Sequence, residues 1–532
     1  MKKFYQKISK ALEDIVKEEY GVELAPPLWE LPQKQEFGDL SSTVALRLAS
    51  KLKKSPIEIA LQLKAPLEKL LSKDVEKVEI IKPGFLNLFI SQATLVSSLN
   101  ELLRNKDKFF RRKLKKKILL EFVSANPTGP LSIAHGRQAV VGDVIANALE
   151  FFGNQVEREY YINDTGRQIE LLVSSLEARI REINGQTLIL PQDGYKGEYI
   201  RDIAKEYLRQ RTKREELRRF VLSNIMALIK KDLLSLGVKF DNWISQRKIV
   251  KEKKVQGVVD ILRRRGLIYE KEGALWFSST KFGDDKDRVV KKSDGQLPYF
   301  VSDIAYHKDK IKRRFNSLIN LWGPDHHGYI GRVEAAIDAL GYKREILKII
   351  IIQLVTIKQN IKMSKRAGTA ILLSDLISEV GKDAARFYYL TRRNSSHLEF
   401  DIDLACAASF DNPLYYIQYA CVRIESIFRK AKAEDFDAKY SNFLTDSEDL
   451  GLLRSLLQFP YCLEKVCYSL EPVFIIEFLK NLASSFHKFY ERKRVLVGAK
   501  ELMLARLNLL EATRIVLHCG LNLLGIKPVR RM

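Results

Sequence analysis

The residues best suited to chemistry gather in four short segments. In the first, Phe122 to Asp143, a strand runs into a loop with Asn126, Pro127, Gly129 and Pro130, and His135 stands at a helix start. Free backbone N–H groups and the helix dipole make such a start a seat for an anion. A nucleotide phosphate is a natural guest at the carboxyl end of a parallel strand. His135 could hydrogen-bond a phosphate in transfer, or simply cap the helix. In the second segment, Lys362-Met363-Ser364-Lys365-Arg366 follows a buried apolar run, with Gly368 just beyond. Two lysines on a Gly-containing loop can close over a pyrophosphate and stabilise charge developing there. An ordinary basic turn has the same composition. The third segment, Trp322 to Tyr329, carries Asp325, His326, His327 and Gly328. A carboxylate and imidazoles suit ribose hydroxyls and an adenine edge. A metal is the other reading, but consecutive residues on one turn rarely converge on one ion. In the fourth, Tyr299 and Asp303 would share one helical face. They are a cation's acceptors or, on the plainer reading, a packing Tyr and a helix-start Asp.

These segments need elements to hold them. Ile118 to Val123 reads as a strand, about His135 to Phe152 as a helix, and Val156 to Ile162 as the next strand. This order opens a parallel α/β domain. Strands resume at Ser317 to Trp322 and Ile349 to Val355, the latter inside one apolar run from Ile346 to Ile357. Residues from about 170 to 275 read as largely helical and charged, inserted between the halves of a nucleotide-binding fold.

Residues 1 to about 112 read as an α+β unit. Phe4, Ile8, Leu12, Ile15 and Val16 mark one helix. Leu40, Val44, Ala45, Leu48 and Ala49 mark a second. Val75 to Ile81 and Phe85 to Ile90 are strands joined at Pro83-Gly84. The basic run Arg104 to Lys117 reads as a solvated linker or, less simply, a phosphate-contacting hinge. From about Ala405 to Met532 the apolar stripes predict a helical bundle. The expected fold is therefore multidomain α/β: an N-terminal α+β domain (1–112), a Rossmann-type parallel-sheet catalytic domain (113–395) with a helical insertion (about 175–290), and a C-terminal all-α bundle (396–532).

A net charge of +24 favours a polyanionic partner, because each phosphate contact releases counterions. No stretch is long and apolar enough to span a bilayer and no signal peptide opens the chain, so a cytoplasmic protein without a membrane partner is expected. The cysteines Cys406, Cys421, Cys462, Cys467 and Cys519 form no Cys-x-x-Cys. No protein-bound zinc or other metal site is expected.

The quoted segments together resemble the arginyl-tRNA synthetases, class I enzymes, in their bacterial form. Asn126-Pro127-Thr128-Gly129-Pro130-Leu131 with His135-Gly136-Arg137 is similar to the first family signature. Tyr160 to Gln168 is similar to the segment after it. Lys362 to Lys365 matches the second class I signature. The family usually has His-x-Gly-His where this chain has Ser132-Ile133-Ala134-His135. Ser keeps a hydroxyl donor but carries no charge.

The resemblance implies ligation of L-arginine to tRNA(Arg) through an arginyl-adenylate, with Mg2+ on the ATP phosphates. It assigns His135, Lys362 and Lys365 to catalysis. It assigns Pro127, Ser132, Ile133, Ala134, His135, Gly136, Asp325, His327, Gly328, Met363, Ser364 and Lys365 to ATP. Asn126, Gln168, Gln246, Tyr299 and Asp303 go to arginine, a planar fork of donors that needs acceptors. Gln246 stands where the family commonly has Glu, which puts more weight on Asp303. Phe85 and Asn87 in the N-terminal unit, and Tyr415, Tyr416 and Arg423 after Asn412-Pro413, go to tRNA by stacking and phosphate contact. A monomer is the family expectation. The alternative is a catalytically impaired tRNA-binding paralogue, suggested by Ser132, Ala134 and Gln246.

Overall fold

The computed structural model describes the chain except residues 1, 26–27, 33–34, 113, 211–215, 252–253, 359–370 and 433–436. It forms two compact units, residues 1–113 with 407–532, and residues 114–406. In the first, strands β1 (Leu40–Ser42), β2 (Val75–Ile81) and β3 (Phe85–Ile90) make an antiparallel sheet of order β1-β3-β2. Leu40, expected in a helix, instead pairs with Leu88 in the sheet, and the helix begins at Val44. Five helices, Pro413–Ala431, Ser447–Leu457, Phe459–Ser469, Val473–Arg492 and Lys500–Leu523, form the expected bundle. The basic run from Arg104 is more than a linker. Its Phe109 and Phe110 are buried, and the Phe110 ring meets Phe459 edge-on at 5.0 Å. Asp39 accepts the Ile90 N–H at 2.7 Å and pairs with Arg454 at 3.0 Å, tying sheet to bundle.

The second unit is built on β4 (Lys117–Glu121), β5 (Gln155–Ile162), β6 (Asn242–Ser245), a small antiparallel sheet β7 (Ile268–Lys271), β8 (Ala274–Phe277) and β9 (Arg288–Lys291), then β10 (Ser317–Trp322) and β11 (Leu347–Ile351). A parallel sheet runs in the order β11-β10-β4-β5-β6. Ile118, Leu119 and Leu120 are buried, as expected of a strand covered on both faces. The order reverses between β4 and β10, so their carboxyl ends open a crevice.

The apolar run from Ile346 to Ile357 is two strands, not one. It leaves the main sheet after Ile351, and β12 (Val355–Ile357) pairs instead with β13 (Leu398–Phe400). The break is held by polar groups that an apolar pattern does not reveal. Fully buried Arg137 donates to the carbonyls of Gln353, Ser396 and Arg393 at 2.8 to 2.9 Å. The inserted stretch is helical at Arg167–Ile183, Glu198–Gln210 and Leu217–Ser235, as expected. It also contains two things the helical reading missed: the edge strand β6 of the main sheet, and the small sheet β7-β8-β9. No described helix is long and apolar enough to cross a membrane.

The helix Ile133–Phe151 packs on β4 so tightly that a Cβ on Gly142 would lie 2.3 Å from the Phe122 ring. Beside it, buried Asp143 pairs with buried Arg386 at 2.5 Å, and Arg386 also donates to the Leu236 carbonyl. Removing one partner of a buried pair leaves the other charge uncompensated, at a cost of about 3 kcal/mol or more. Arg386→Met should therefore lower the thermal midpoint by about 5 °C or more. The double variant Arg386→Met/Asp143→Leu should regain most of that loss. Scanning calorimetry checks both, and equal midpoints for the two variants would contradict the pairing.

Candidate active site

The loops leaving β4, β5, β6 and β10 carry most of the described residues expected in the site. After β4 the backbone takes left-handed angles at Val123 (φ 67) and Ser124 (φ 39). Such conformations are costly away from glycine and mark a backbone bent for a purpose. Asn126 follows, exposed. It accepts from Asn163 Nδ2 at 2.8 Å and donates to Gln168 Oε1 at 2.7 Å. Two expected arginine contacts, Asn126 and Gln168, are thus joined directly. Pro127 is buried beside them.

Ser132 begins the helix and shares a reciprocal capping box with His135. The Ser132 N–H donates to His135 Nδ1 at 3.1 Å, and Ser132 Oγ lies 3.0 Å from the same nitrogen. Because Nδ1 accepts, the proton of a neutral ring sits on Nε2. Burial lowers the His135 pKa, with Asp325 opposing, so the ring is neutral near pH 7. A neutral imidazole fixed in one tautomer offers one N–H to an oxyanion. Ser132, standing where a second His is usual, thereby sets the state of the His that remains. Ile133 is buried, Ala134 is half-buried, and Gly136 lies under Leu373 and Tyr389, where a Cβ would come within 2.6 Å of both.

Across the crevice β10 ends at Trp322, and after Gly323 a short turn Pro324–Tyr329 presents Asp325, His327 and Gly328 to solvent. A side chain on Gly323 would strike the Asp325 carboxylate at 2.5 Å and Gln138 at 3.3 Å. Lys362, Met363, Ser364 and Lys365 lie outside the described residues. The chain beyond them is described, and it joins the first loop. Leu372 bridges Ser132 antiparallel, with the Leu373 N–H on the Leu131 carbonyl at 2.8 Å and the Ile133 N–H on the Ile371 carbonyl at 3.2 Å. The chain at Ile371–Leu373 is therefore stitched to the start of the helix that carries His135.

Asp303 lies on the helix Tyr299–Lys312, as does Tyr299. Beneath this helix, Asn320, Glu121 and Glu159 stand side by side in one register row across β10, β4 and β5. All three are buried. Lys310, fully buried, pairs with Glu121 and donates to Asn320 Oδ1 at 3.0 Å. Arg313 forks onto Glu159 at 2.5 and 2.8 Å, and Tyr306 Oη donates to the same carboxylate at 2.7 Å. Asn320 Nδ2 donates to His307 Nε2 at 2.8 Å, and His307 Nδ1 donates to the Asp303 carbonyl at 2.8 Å. Burial, then Lys310, pushes the His307 pKa down to about 3, consistent with that neutral tautomer.

Among Glu121, Glu159, Asp303, Lys310 and Arg313, carboxylates outnumber cations by one. The unmatched group is Asp303: no described side chain pairs with it. Burial raises its pKa well above the ordinary range, Glu121 adds to that, and Lys310 opposes it. Sequence reasoning missed this network. Its signal was the polar stripe Asp303, Tyr306, His307 and Lys310 at helical spacing, a pattern that ordinarily marks a solvent face. Gln246 is 3% exposed and accepts from Thr165 Oγ1 at 2.8 Å, beside Asp164, which holds Ser245 and the Arg247 N–H.

The expected RNA contacts lie in the other unit. Phe85 is half-buried, while Asn87 is only 2% exposed on the central strand β3. Tyr415 and Tyr416 surround Phe410, which is 58% exposed, with ring centroids 6.0 and 5.9 Å away. Arg423 lies over both Tyr419 and Tyr490, at 4.6 and 4.7 Å. Phe410, His487 and Tyr490 belong to this aromatic group but are not singled out by the sequence, because they come from a loop and from the helix Val473–Arg492.

Three family models match the chain: an arginyl tRNA synthetase N-terminal domain over residues 2–90, the class I (R) tRNA synthetase catalytic domain over 98–399, and a DALR anticodon binding domain over 417–532. An arginine–tRNA ligase of Carboxydothermus hydrogenoformans is 42% identical over 94% of each chain. One of Thermotoga maritima is 39% identical over 99% of each. The arginyl-tRNA synthetase structure of Thermus thermophilus, 23% identical, shares the fold with a TM-score of 0.80 over 98% of this chain and 99% of its own. With the loop after β4 running into a helix capped by Ser132 and a neutral His135, a parallel sheet beneath it, and these matches over nearly its whole length, the chain belongs to the arginyl-tRNA synthetases.

Proposed function

We propose that the protein activates L-arginine with ATP and esterifies it to tRNA(Arg). The observation that carries this reading is the unmatched Asp303 carboxylate above a buried row short of one cation. A guanidinium supplies that charge and a planar fork of donors. A neutral side chain of the same shape would leave the carboxylate unpaired, and such a mismatch costs more than a missing methylene. Asn126, with Gln168, would hold the amino-acid end, and Tyr299 would join Asp303 on the guanidinium. Gln246 can bring an amide but no charge.

The arginine carboxylate attacks the ATP α-phosphate, pyrophosphate leaves, and the terminal ribose hydroxyl of the RNA then attacks the adenylate carbonyl. His135 Nε2–H would donate to the α-phosphate, with Pro127, Ser132, Ile133, Ala134 and Gly136 shaping its seat. Asp325, His327 and Gly328 would hold the nucleoside, while Lys362, Met363, Ser364 and Lys365 close over the leaving phosphates. Magnesium would travel with the triphosphate: among the described residues no group of three or more His, Cys, Asp or Glu is arranged to hold an ion. Phe85 and the aromatic group around Tyr415, Tyr416 and Arg423 would take RNA bases by stacking. Asn87 could read a base edge only if β3 became more exposed. A cytoplasmic monomer fits this role. The relatives reported above are named as ligases, which gives the impaired-paralogue reading no support.

Two substitutions test the assignments. Asp303→Asn should raise the arginine KM about a hundredfold, while the ATP KM stays within about threefold. Steady-state pyrophosphate exchange measures both, and equal changes would remove Asp303 from the guanidinium. Lys365→Ala should slow adenylate formation at least about tenfold and leave RNA affinity in a filter-binding assay nearly unchanged. An unaltered rate would take this lysine out of the chemistry.

A further inference from the structure

Two residues of the inserted helices reach into the first phosphate loop. Tyr199, on the helix Glu198–Gln210, donates its hydroxyl to the Thr128 carbonyl at 2.6 Å. Its ring covers Gly129 so closely that a Cβ there would lie 3.1 Å from its outer atoms. Asp232, on the helix Leu217–Ser235, accepts the Leu131 N–H through Oδ2 at 3.1 Å. The grip is transmitted along the loop in both directions. The Thr128 N–H donates to the Asn126 carbonyl at 2.8 Å, so holding Thr128 orients Asn126. Leu131 precedes Ser132, whose capping box fixes His135.

The clamp is itself anchored. The Tyr195 N–H donates to Ser175 Oγ at 2.9 Å, and Arg179 donates to the Lys196 carbonyl at 3.1 Å. Both anchors lie on the helix Arg167–Ile183, whose first turn carries Gln168, the partner of Asn126. The insertion thus leaves the crevice at Gln168 and returns to it at Tyr199, closing a ring around the substrate end of the loop. A loop with left-handed residues at its base needs such outside restraint to keep one geometry.

We propose that Tyr199 and Asp232 are positioning residues for the first phosphate loop, through which the inserted helices set the placement of Asn126 and His135. The proposal rests on the assignment of that loop to arginine and ATP. A displacement of about 1 Å at a reacting group can cost two orders of magnitude in rate. Full-length Tyr199→Phe, Asp232→Ala, Asp232→Asn and His135→Ala are compared by pyrophosphate exchange and thermal melting. Tyr199→Phe keeps the ring over Gly129 and loses only the hydroxyl. It and Asp232→Ala should lower kcat about tenfold, with melting points within about 2 °C of the parent. Asp232→Asn should restore kcat, because an amide oxygen still accepts from Leu131. Parental kcat in Tyr199→Phe, or Asp232→Asn as slow as Asp232→Ala, overturns the proposal. So does a loss of rate that merely follows the folded fraction. If Asp232→Ala fails to fold, Tyr199→Phe and Asp232→Asn decide alone. Parental activity in His135→Ala would instead strike at the loop's assignment.

Discussion

The catalytic unit depends on one buried row of polar side chains. Asn320, Glu121 and Glu159 lie level on β10, β4 and β5, where an apolar row would be the ordinary choice. Two carboxylates inside a sheet must be paired or the fold does not hold. The helix Tyr299–Lys312 lies over them for that reason, bringing Lys310 to Glu121, with Arg313 just past its end on Glu159. Once it is seated, its register is fixed, and Asp303 two turns earlier is buried near Glu121 and Lys310 with no described cation paired to it. On the proposed assignment of Asp303 to the guanidinium, fold and substrate preference share one cause: the sheet's demand for cations orients a helix that is left one cation short.

The same row also anchors the loop after β4. The first loop leaves β4 directly after Glu121, and Ser124 Oγ donates back to that carboxylate at 2.9 Å. The Tyr161 N–H on Ser124 adds the neighbouring strand. The same row that seats Asp303 therefore anchors the loop that carries Asn126 and His135. The bridge between Ser132 and Leu372 brings the chain at Ile371–Leu373 to the same place.

Much of this was legible in the sequence. The strand Ser317 to Trp322 is read to the residue, and two of the four chemical segments run through the loops after β4 and β10, while Tyr299 and Asp303 sit on a helix. Failures share a cause. The run Ile346 to Ile357 was read as one strand because its break is held by the Arg137 guanidinium on three carbonyls, a contact that no local pattern announces. Leu40 was placed in a helix because period alone does not reveal pairing with Leu88. The edge strand β6 is four residues long and shows no clear alternation. His307, Lys310 and Asn320 are not singled out by the sequence, since burial of a polar stripe becomes visible only when its partners on other strands are known. Ser132, which seemed a loss beside the usual His, gains a meaning only when its backbone N–H is seen on His135 Nδ1.

The central claim is that an empty, unmatched carboxyl at Asp303 is what arginine satisfies. Glu121 and Lys310 face it with opposite effect, His307 and Asn320 beside it are neutral, and burial raises its pKa. Below that raised pKa Asp303 holds a proton, which an incoming guanidinium must expel. Arginine affinity should therefore climb as pH rises above the ordinary carboxylate range, and then level off. Calorimetric titration of arginine in two buffers of different ionisation enthalpy reads the proton directly. Release of up to about one proton on binding, fading at higher pH and absent in Asp303→Asn, is the expected result. Binding without proton exchange at every pH, with affinity preserved in Asp303→Asn, would contradict the account.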